Sequence, residues 1–250
     1  MTTPVETKRW PATIVVPTRD ERDNAAELLR RLPLVEGVLF VDDSDDDTPA
    51  AIAAASSGCA SPVEVMHRPA GKRHGGLAGA VVQGMPQATS EWTVVMDGDL
   101  QHPPEVVARL LERAAKDDVD LVIASRRNWD SVNEGLSMPR KAASWTLGRL
   151  AFALFPIRLS KITDPLSGFF VFRTDAIDRD RLDPTGFKIL LEIVLTHPEL
   201  RVDEVGFAFA KRVAGESNVS VREASRYLRH VARLRRRLTV QALRYAVTPG

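Results

Sequence analysis

Short β-branched runs alternate with longer helical patterns through the first half of the chain, and this alternation limits the possible folds more than any other feature. The apolar runs are TIVV (13–16), VLFV (38–41), VEVM (63–66), TVVM (93–96) and LVIA (121–124). Segments such as PEVVARLLERAAK lie between them and have the apolar spacing of helices. The pattern predicts buried parallel strands in a doubly wound α/β sheet with helices on both faces.

Composition narrows the class of protein further. The chain has 250 residues and a formal net charge of +1 at pH 7, so we expect one large domain, or one domain with an appendage, without a general affinity for nucleic acid. A single cysteine, Cys59, excludes an intrachain disulfide and a cysteine-based metal site. The sequence has no signal-peptide core and no run of about 18 apolar residues that predicts a membrane span. A continuation into a membrane region after the final AVTPG stays open.

Polar clusters follow the first, second and fourth predicted strands. They are PTRDE (17–21), DDSDDDT (42–48) and DGDLQ (97–101). In open α/β sheets, ligands bind outside the carboxyl ends of the strands. We therefore expect these three clusters to converge on one edge of the sheet and to form a ligand site there.

The segment VVMDGDLQHPPE (94–105) carries the most specific chemistry. If the extended geometry of the strand persists, Asp97, Asp99 and Gln101 project to one side, because alternate residues of a strand share a face. Three oxygen donors suit a hard divalent cation such as Mg²⁺ or Mn²⁺. The alternative is that an aspartate caps the following helix, which explains one acid but not two acids and an amide. His102 is more typical of a structural residue than of a base.

The other two clusters predict nucleoside contacts. Asp42 and Asp43 directly follow a strand, so either carboxylate is placed to accept hydrogen bonds from a base or a ribose. Glu21 is placed to hold a ribose hydroxyl. The competing interpretation is that Thr18 or Asp20 is simply the N-cap of the next helix.

The C-terminal segment YLRHVARLRRRLTVQALRY is a basic amphipathic helical pattern. Its apolar face contains Tyr227, Leu228, Val231, Leu234, Leu238, Ala242 and Tyr245, and most of its arginines lie opposite. Such a helix suits the anionic surface of a membrane. A solvent-exposed face and a partner-binding helix are the alternatives. The apolar helix before it, KAASWTLGRLAFALF, fits the membrane interface and the protein core equally well.

Several motifs in order resemble those of the polyprenol-phosphate (dolichol-phosphate) mannose synthases, inverting glycosyltransferases of the GT-A fold. The motifs are VVPTRDERDN, VDDSDDDT, MDGDLQHPPE, ITDPLSGFFVFR, GFKILLEIV and FAKRVAGESNVS. The resemblance covers residues 12–222 and implies a GT-A domain there, with 223–250 as a membrane-proximal helical tail. It also implies a GDP-mannose donor, a divalent metal and a polyprenyl phosphate acceptor at the cytoplasmic face of a membrane.

The resemblance also implies roles for individual residues. Asp97, Asp99 and Gln101 match metal and diphosphate residues, and Arg126 and Arg212 match arginines that bind phosphate. The acceptor phosphate is matched to Arg140 and Ser144. Matches to the nucleoside and sugar site are Pro17, Thr18, Glu21, Asp43, Gly98, Ser167 and Gly168. Arg19 and Asp20 depart from the family, which often has tyrosine and asparagine there.

The implied reaction explains why no histidine or carboxylate dyad stands out as a base. A phosphate monoester has its second pKa near 6, so the acceptor is already largely dianionic at neutral pH. Two rival functions remain. A UDP-sugar transferase of the same fold fits most of the motifs. A signalling receiver domain fits poorly, because its acidic pair follows the first strand and its length is about half of this chain.

Overall fold

The computed structural model of the protein describes residues 8–116, 118–127, 138–185, 188–210 and 221–247. Its strands are β1 (Trp10–Thr18), β2 (Val35–Asp42), β3 (Val63–His67), β4 (Trp92–Val95), β5 (Leu121–Ser125), β6 (Phe170–Arg173) and β7 (Val202–Gly206). Its α-helices are α1 (Ala25–Arg31), α2 (Thr48–Ser56), α3 (Gly76–Gly84), α4 (Val106–Ala114), α5 (Met138–Leu154), α6 (Ile189–Thr196) and α7 (Val221–Val247).

The strands form one mixed sheet in the order β3-β2-β1-β4-β6-β5-β7. Neighbouring strands run parallel except at β6, which pairs antiparallel with both β4 and β5. This confirms the predicted α/β class with a mostly parallel sheet, and all five early strands lie where the sequence predicts them. The prediction of burial is wrong for β3, which lies at the edge of the sheet and is half exposed.

Helices cover both faces of the sheet because side chains of a strand alternate between its faces. Ile14 and Val16 of β1 belong to a core shared with α1, α2 and α4. Val15 points to the other face, where it packs near Ala80 of α3. A further core on that side joins α3, α5, α6 and α7 to β5 and β6. These apolar layers hold the sheet between the helices. The polar clusters meet at one edge of the sheet that they hold in place.

The C-terminal helix α7 packs on the domain. Tyr227, Val231 and Leu234 are buried in the core that contains α5 and α6, and the Tyr227 hydroxyl donates a hydrogen bond of 3.0 Å to the Leu147 carbonyl. The assignment of Leu228 to the apolar face is wrong, because this side chain is 51% exposed. Among the described residues, no helix is both long enough and apolar enough to cross a membrane.

Candidate active site

The ends of β1, β2 and β4 bring the three polar clusters together, as the sequence predicts. Thr18 Oγ1 donates a hydrogen bond of 3.2 Å to Asp42 Oδ1, and the Asp43 amide donates one of 2.9 Å to the Thr18 carbonyl. Gly98, just after β4, lies so close to β1 that a Cβ there would be 2.9 Å from Thr18 Cγ2. The three strand ends therefore line one continuous site.

Asp42 and Asp43 have different roles. Asp42 is fully buried, accepts hydrogen bonds from Thr18 and Ser44, and lies 2.7 Å from His67 Nδ1. These contacts satisfy its carboxylate within the protein. Of the two acids, only Asp43 lines the cavity described below, so ligand contact stays a prediction for Asp43 alone.

Arg68 holds Asp43 in place. Its guanidinium donates two hydrogen bonds to the Asp43 carboxylate, of 2.7 Å from Nε and 2.5 Å from Nη2. Nη2 also donates to the Gly76 carbonyl at 2.9 Å, which ties the start of α3 to the end of β2. The arginine side chain is 2% exposed, so the pair is buried and rigid.

A cavity of about 630 Å³ lies above these strand ends. Its lining includes Pro17, Thr18 and Asp43, three of the predicted nucleoside residues. Glu21 does not belong to the lining, and its carboxylate accepts a hydrogen bond from Asn24. The volume is typical of a pocket for a small organic ligand.

The competing interpretation of PTRDE as a helix cap is wrong. Helix α1 begins at Ala25, and its N-cap position is Asn24 rather than Thr18 or Asp20. Asp20 has a φ of +57°, in the left-handed region that aspartate and asparagine tolerate better than most residues. Its amide donates a hydrogen bond of 2.8 Å to Ser44 Oγ, which joins this turn to the end of β2.

The loop after β4 places Asp97 and Asp99 at the same edge, but not by the predicted geometry. The strand ends at Val95 and Leu100 has a φ of +60°, so the extended alternation does not continue through the motif. Instead the loop turns back on itself, and Asp99 Oδ1 accepts a hydrogen bond of 3.0 Å from the Gln101 amide. The Gln101 side-chain nitrogen donates to the Ala210 carbonyl at 3.4 Å.

His102 is a structural residue. Its ring stacks on Phe169 with centroids 5.1 Å apart and meets the edges of Phe207 and Phe209. The Asp97 amide donates a hydrogen bond of 3.1 Å to Nδ1, so this nitrogen is unprotonated. Burial lowers the pKa of the imidazole, which agrees with a neutral ring that supports the acidic loop.

The acidic loop has the donor set for a hard cation. Asp97 and Asp99 supply carboxylates and Gln101 an amide, although the described residues contain no group of three or more His, Cys, Asp or Glu side chains suited to a metal. Mg²⁺ and Mn²⁺ commonly bind through one or two carboxylates, with waters and substrate phosphates as the other ligands. Burial raises the pKa of the Asp97 carboxyl, and a bound cation would oppose this shift because it favours the ionised form.

The loop before β6 faces the same site. A Cβ at Gly168 would lie 3.1 Å from Asp97 Oδ2, so glycine lets this loop approach the acidic loop without displacing the Asp97 carboxylate. The Ser167 hydroxyl donates a hydrogen bond of 2.7 Å to the Ala124 carbonyl and also contacts the backbone of Phe169. Ser167 therefore fixes the turn against β5, while Gly168 lies next to the acidic loop.

Arg126, at the end of β5, forms a buried ion pair with Asp164. Its Nε and Nη2 lie 2.7 and 2.8 Å from the two carboxylate oxygens, and its backbone amide donates to the same group at 3.2 Å. Burial favours a raised pKa of the Asp164 carboxyl, but the hydrogen bonds and charge of Arg126 outweigh it and lower the pKa. The positive charge of Arg126 also acts on Asp97, which locates it near the acidic loop.

The side chains of three predicted site residues lie outside the described part of the structure. Arg212 lies outside the described residues. The backbone of Arg140 and Ser144 belongs to α5, but their side chains lie outside the described part of the structure.

Sequence reasoning missed several cations of the site, among them Arg68 and Lys188. Arg68 follows β3 directly, yet nothing near it in the sequence links it to Asp43. Lys188 lies just before α6 in the motif GFKILLEIV; it donates a hydrogen bond of 2.8 Å to the Leu166 carbonyl, and its charge acts on Asp97. Asp164, in ITDPLSG, was also missed, although its position in a strongly matched motif was a usable signal.

Comparison with known proteins decides the family. The model of "Glycosyl transferase family 2" matches residues 13–180, which contain most of β1, all of β2 to β6, and Asp43, Asp97, Asp99 and Asp164 of the site. The chain belongs to glycosyl transferase family 2. This membership confirms the prediction of a glycosyltransferase.

Two similar proteins agree with this assignment. Dolichol-phosphate mannosyltransferase from Pyrococcus furiosus is 38% identical over 230 residues, which are 88% of this chain and 62% of the relative. The chain thus spans less than two thirds of that protein. Undecaprenyl-phosphate mannosyltransferase from Micrococcus luteus is 32% identical over 82% of this chain and 86% of its own length.

Structural comparison extends the likeness to the whole fold. Glucosyl-3-phosphoglycerate synthase from Mycobacterium tuberculosis, solved with Mn²⁺, UDP-glucose and phosphoglyceric acid, superposes with a TM-score of 0.66. The match covers 92% of this chain and 79% of that chain at 18% identity, so it supports the fold alone.

Proposed function

We propose that this protein transfers mannose from GDP-mannose to a polyprenyl phosphate with inversion, at the cytoplasmic face of a membrane. The observation that carries the proposal is that Gly98, between Asp97 and Asp99, lies against Thr18, which lines the ligand-sized cavity at the ends of β1 and β2. The names of the Pyrococcus and Micrococcus relatives support a polyprenyl phosphate acceptor and mannose as the sugar.

In the proposed reaction, an acceptor phosphate oxygen forms a bond to the anomeric carbon as the bond to GDP breaks. Attack from the face opposite the leaving group gives a β-linked mannosyl phosphate. The acceptor needs no general base, because its phosphate is largely dianionic at neutral pH. Stabilisation of the departing diphosphate is therefore the main task of the protein.

Different residues of the site are assigned to the cation, the nucleoside, the phosphate groups of the donor and the acceptor phosphate. Asp97 and Asp99, with Gln101, would hold a divalent cation, which when bound would supply positive charge to the diphosphate. Pro17, Thr18 and Asp43 receive the nucleoside, and Gly98 and Gly168 leave room beside the acidic loop. Arg126 and Arg212 are assigned to phosphate groups, and Arg140 and Ser144 to the acceptor phosphate.

Arg126 acts from a fixed position. Its ion pair with Asp164 holds the guanidinium at the end of β5, so it contributes a preorganised positive charge. Ser167 keeps the neighbouring turn in place through its hydrogen bond to β5. Preorganised charges are effective because they need little reorganisation during the reaction.

A transfer assay tests the proposal. The protein is incubated with a polyprenyl phosphate, Mg²⁺ or Mn²⁺, and GDP-mannose, UDP-glucose or UDP-N-acetylglucosamine in separate reactions. We expect a β-mannosyl phosphoryl lipid from GDP-mannose only. Transfer from a UDP-sugar in its place would contradict the proposed donor, and an α-linked product would contradict inversion.

A further inference from the structure

The wall of the cavity opposite the strand ends is formed by α7. Arg226, Arg229, His230 and Arg233 line it from this helix, facing Thr18 and Asp43. Their spacing places them on one side of the helix, because residues three and four apart are neighbours on a helix surface. The basic face of α7 therefore forms one wall of the cavity and does not face solvent alone.

The helix is held firmly in this orientation. The buried Tyr227 hydroxyl donates to Leu147 of α5, and His230 Nδ1 lies 2.7 Å from Thr185 Oγ1. Arg233 forms an ion pair of 3.0 Å with Asp183. These contacts fix the rotation of α7 about its axis and thereby fix which arginines face the cavity.

The cavity carries a strong excess of positive charge. Among the described residues of its lining, the arginines are Arg19, Arg73, Arg226, Arg229 and Arg233, and the one acid is Asp43, which is already paired with buried Arg68. Three of the arginines have acidic partners: Arg19 with Asp20, Arg73 with Asp45, and Arg233 with Asp183.

Arg226 and Arg229 differ from these three. Within the described part of the chain neither forms an ion pair, and the one hydrogen bond of Arg229 is a 3.4 Å contact with the Ser225 carbonyl of its own helix. Their charges are thus available to a ligand in the cavity. A ligand that balances them must be anionic.

We infer that α7 is part of the donor site and that Arg226 and Arg229 bind the anionic groups of the nucleoside diphosphate. The inference rests on the proposed function, and it names two residues for the nucleotide that no sequence motif indicates. Guanidinium groups form short charge-assisted hydrogen bonds to phosphate oxygens. Thr18 lies both in the cavity and against Gly98, so a nucleotide bound there reaches the acidic loop.

A lipid headgroup is the weaker occupant for these two arginines. The cavity floor is built from the ends of β1 and β2, the position at which open α/β sheets bind ligands. Arg236, further along α7, is exposed and does not line the cavity. An outward arginine of this kind is better placed for a membrane surface and provides a matched control.

Calorimetric titration with GDP and Mn²⁺ tests the inference. The proteins compared are the unmodified chain, Arg226→Ala, Arg229→Ala, the double variant and the control Arg236→Ala. We expect each cavity variant to bind GDP about 10- to 100-fold more weakly, the range for loss of a charged hydrogen bond. The control should bind GDP normally, and equal melting temperatures would show that all variants are folded.

The outcomes separate this inference from the proposed function. Normal GDP affinity in the double variant, with the unmodified protein binding well, would overturn the role of α7 and leave the proposed function intact. Failure of the unmodified protein to bind GDP would overturn both. Loss of binding to anionic phospholipid vesicles in the double variant, with normal GDP affinity, would assign these arginines to the membrane and so contradict the inference.

Discussion

At the scale of single residues, Asp99 has the most sharply defined role. The residue is 6% exposed and its carboxylate accepts a hydrogen bond from the Gln101 amide, which restricts its orientation. It is also the acid nearest in sequence to the tight turn at Leu100. A fixed carboxylate at this point suits a cation that must contact both protein and substrate.

Removal of the Asp99 charge should abolish metal-dependent transfer. We expect Asp99→Asn to lower the transfer rate at least about 100-fold, because the loss of one preorganised electrostatic group typically has an effect of this size. The asparagine oxygen still accepts from Gln101, so the melting temperature should change little. Asp175→Asn, at an exposed acid, is the control, and retained transfer by Asp99→Asn at ordinary Mn²⁺ concentrations would disprove the metal assignment.

The positions of site residues were predictable where the end of a strand determines them. Thr18 ends β1, and Asp43 and Asp97 follow β2 and β4, so the apolar runs alone were enough to bring these residues together at one edge of the sheet. The conformation of Leu100 was not predictable, because leucine rarely adopts a positive φ and local sequence gives no sign of it. For the same reason, strand alternation was the wrong basis for grouping Asp97, Asp99 and Gln101.

At the scale of elements, the antiparallel strand β6 determines the composition of the site. Phe170 pairs with Val95 of β4 and with Ile123 of β5, near the carboxyl ends of those two strands. The loop that precedes β6 therefore lies at the site, and it carries Asp164 and Gly168. A parallel β6 would have placed this loop at the opposite edge of the sheet.

The ion pair between Arg126 and Asp164 should stabilise this arrangement. Asp164→Asn leaves a largely buried arginine without its counter-charge, so we expect the free energy of unfolding to fall by about 2–4 kcal/mol. Denaturant titration measures the loss. Asp118→Asn, which disrupts an exposed pair with Arg113, should cost less than about 1 kcal/mol. An equal effect of the two substitutions would contradict the structural role of Asp164.

Helix α7 contains a buried histidine that should make stability depend on pH. Burial lowers the pKa of His230 from its usual 6.5 to about 4, and Arg233 and Arg237 act in the same direction while Asp183 opposes them. Between these values the unfolded chain binds a proton that the folded protein excludes. Stability should therefore fall as the pH decreases from 6.5 to 4.

Comparison with His230→Gln isolates this effect. We expect the unmodified protein to lose about 2–3 kcal/mol more than the variant between pH 7 and pH 4, measured by denaturant titration. Glu192, 3.9 Å from His230 Nε2, has a pKa raised by burial and a pH effect of opposite sign, and it is present in both proteins. Parallel pH profiles for the two proteins would contradict the assignment.

At the scale of the whole molecule, the packing of α7 shows a limit of sequence analysis. Apolar periodicity predicts that one face of the helix is buried, and Tyr227, Val231 and Leu234 are indeed buried. The same periodicity does not reveal whether that face meets a bilayer or a protein core, because both are apolar. Only the long-range contacts with α5 and α6 distinguish the two environments.

Membrane contact remains a prediction, and the surface around Ile157 is the best place for it. Ile157 is 88% exposed beside a groove lined by Leu154, Phe155, Leu238 and Arg235. Ile157→Asp should weaken binding to anionic vesicles about tenfold or more, since burial of an isoleucine is worth about 1.5–3 kcal/mol. Val65→Asp on edge strand β3 is the control, and unchanged vesicle binding by Ile157→Asp would exclude this surface.

The central claim is that Asp97 and Asp99 hold a cation against the diphosphate of the donor. Anomalous diffraction from a crystal soaked with GDP and Mn²⁺ tests it most directly. The account predicts a manganese peak within about 2.5 Å of an Asp99 carboxylate oxygen and of a GDP phosphate oxygen. Well-ordered GDP in the cavity with no manganese beside these carboxylates would contradict it.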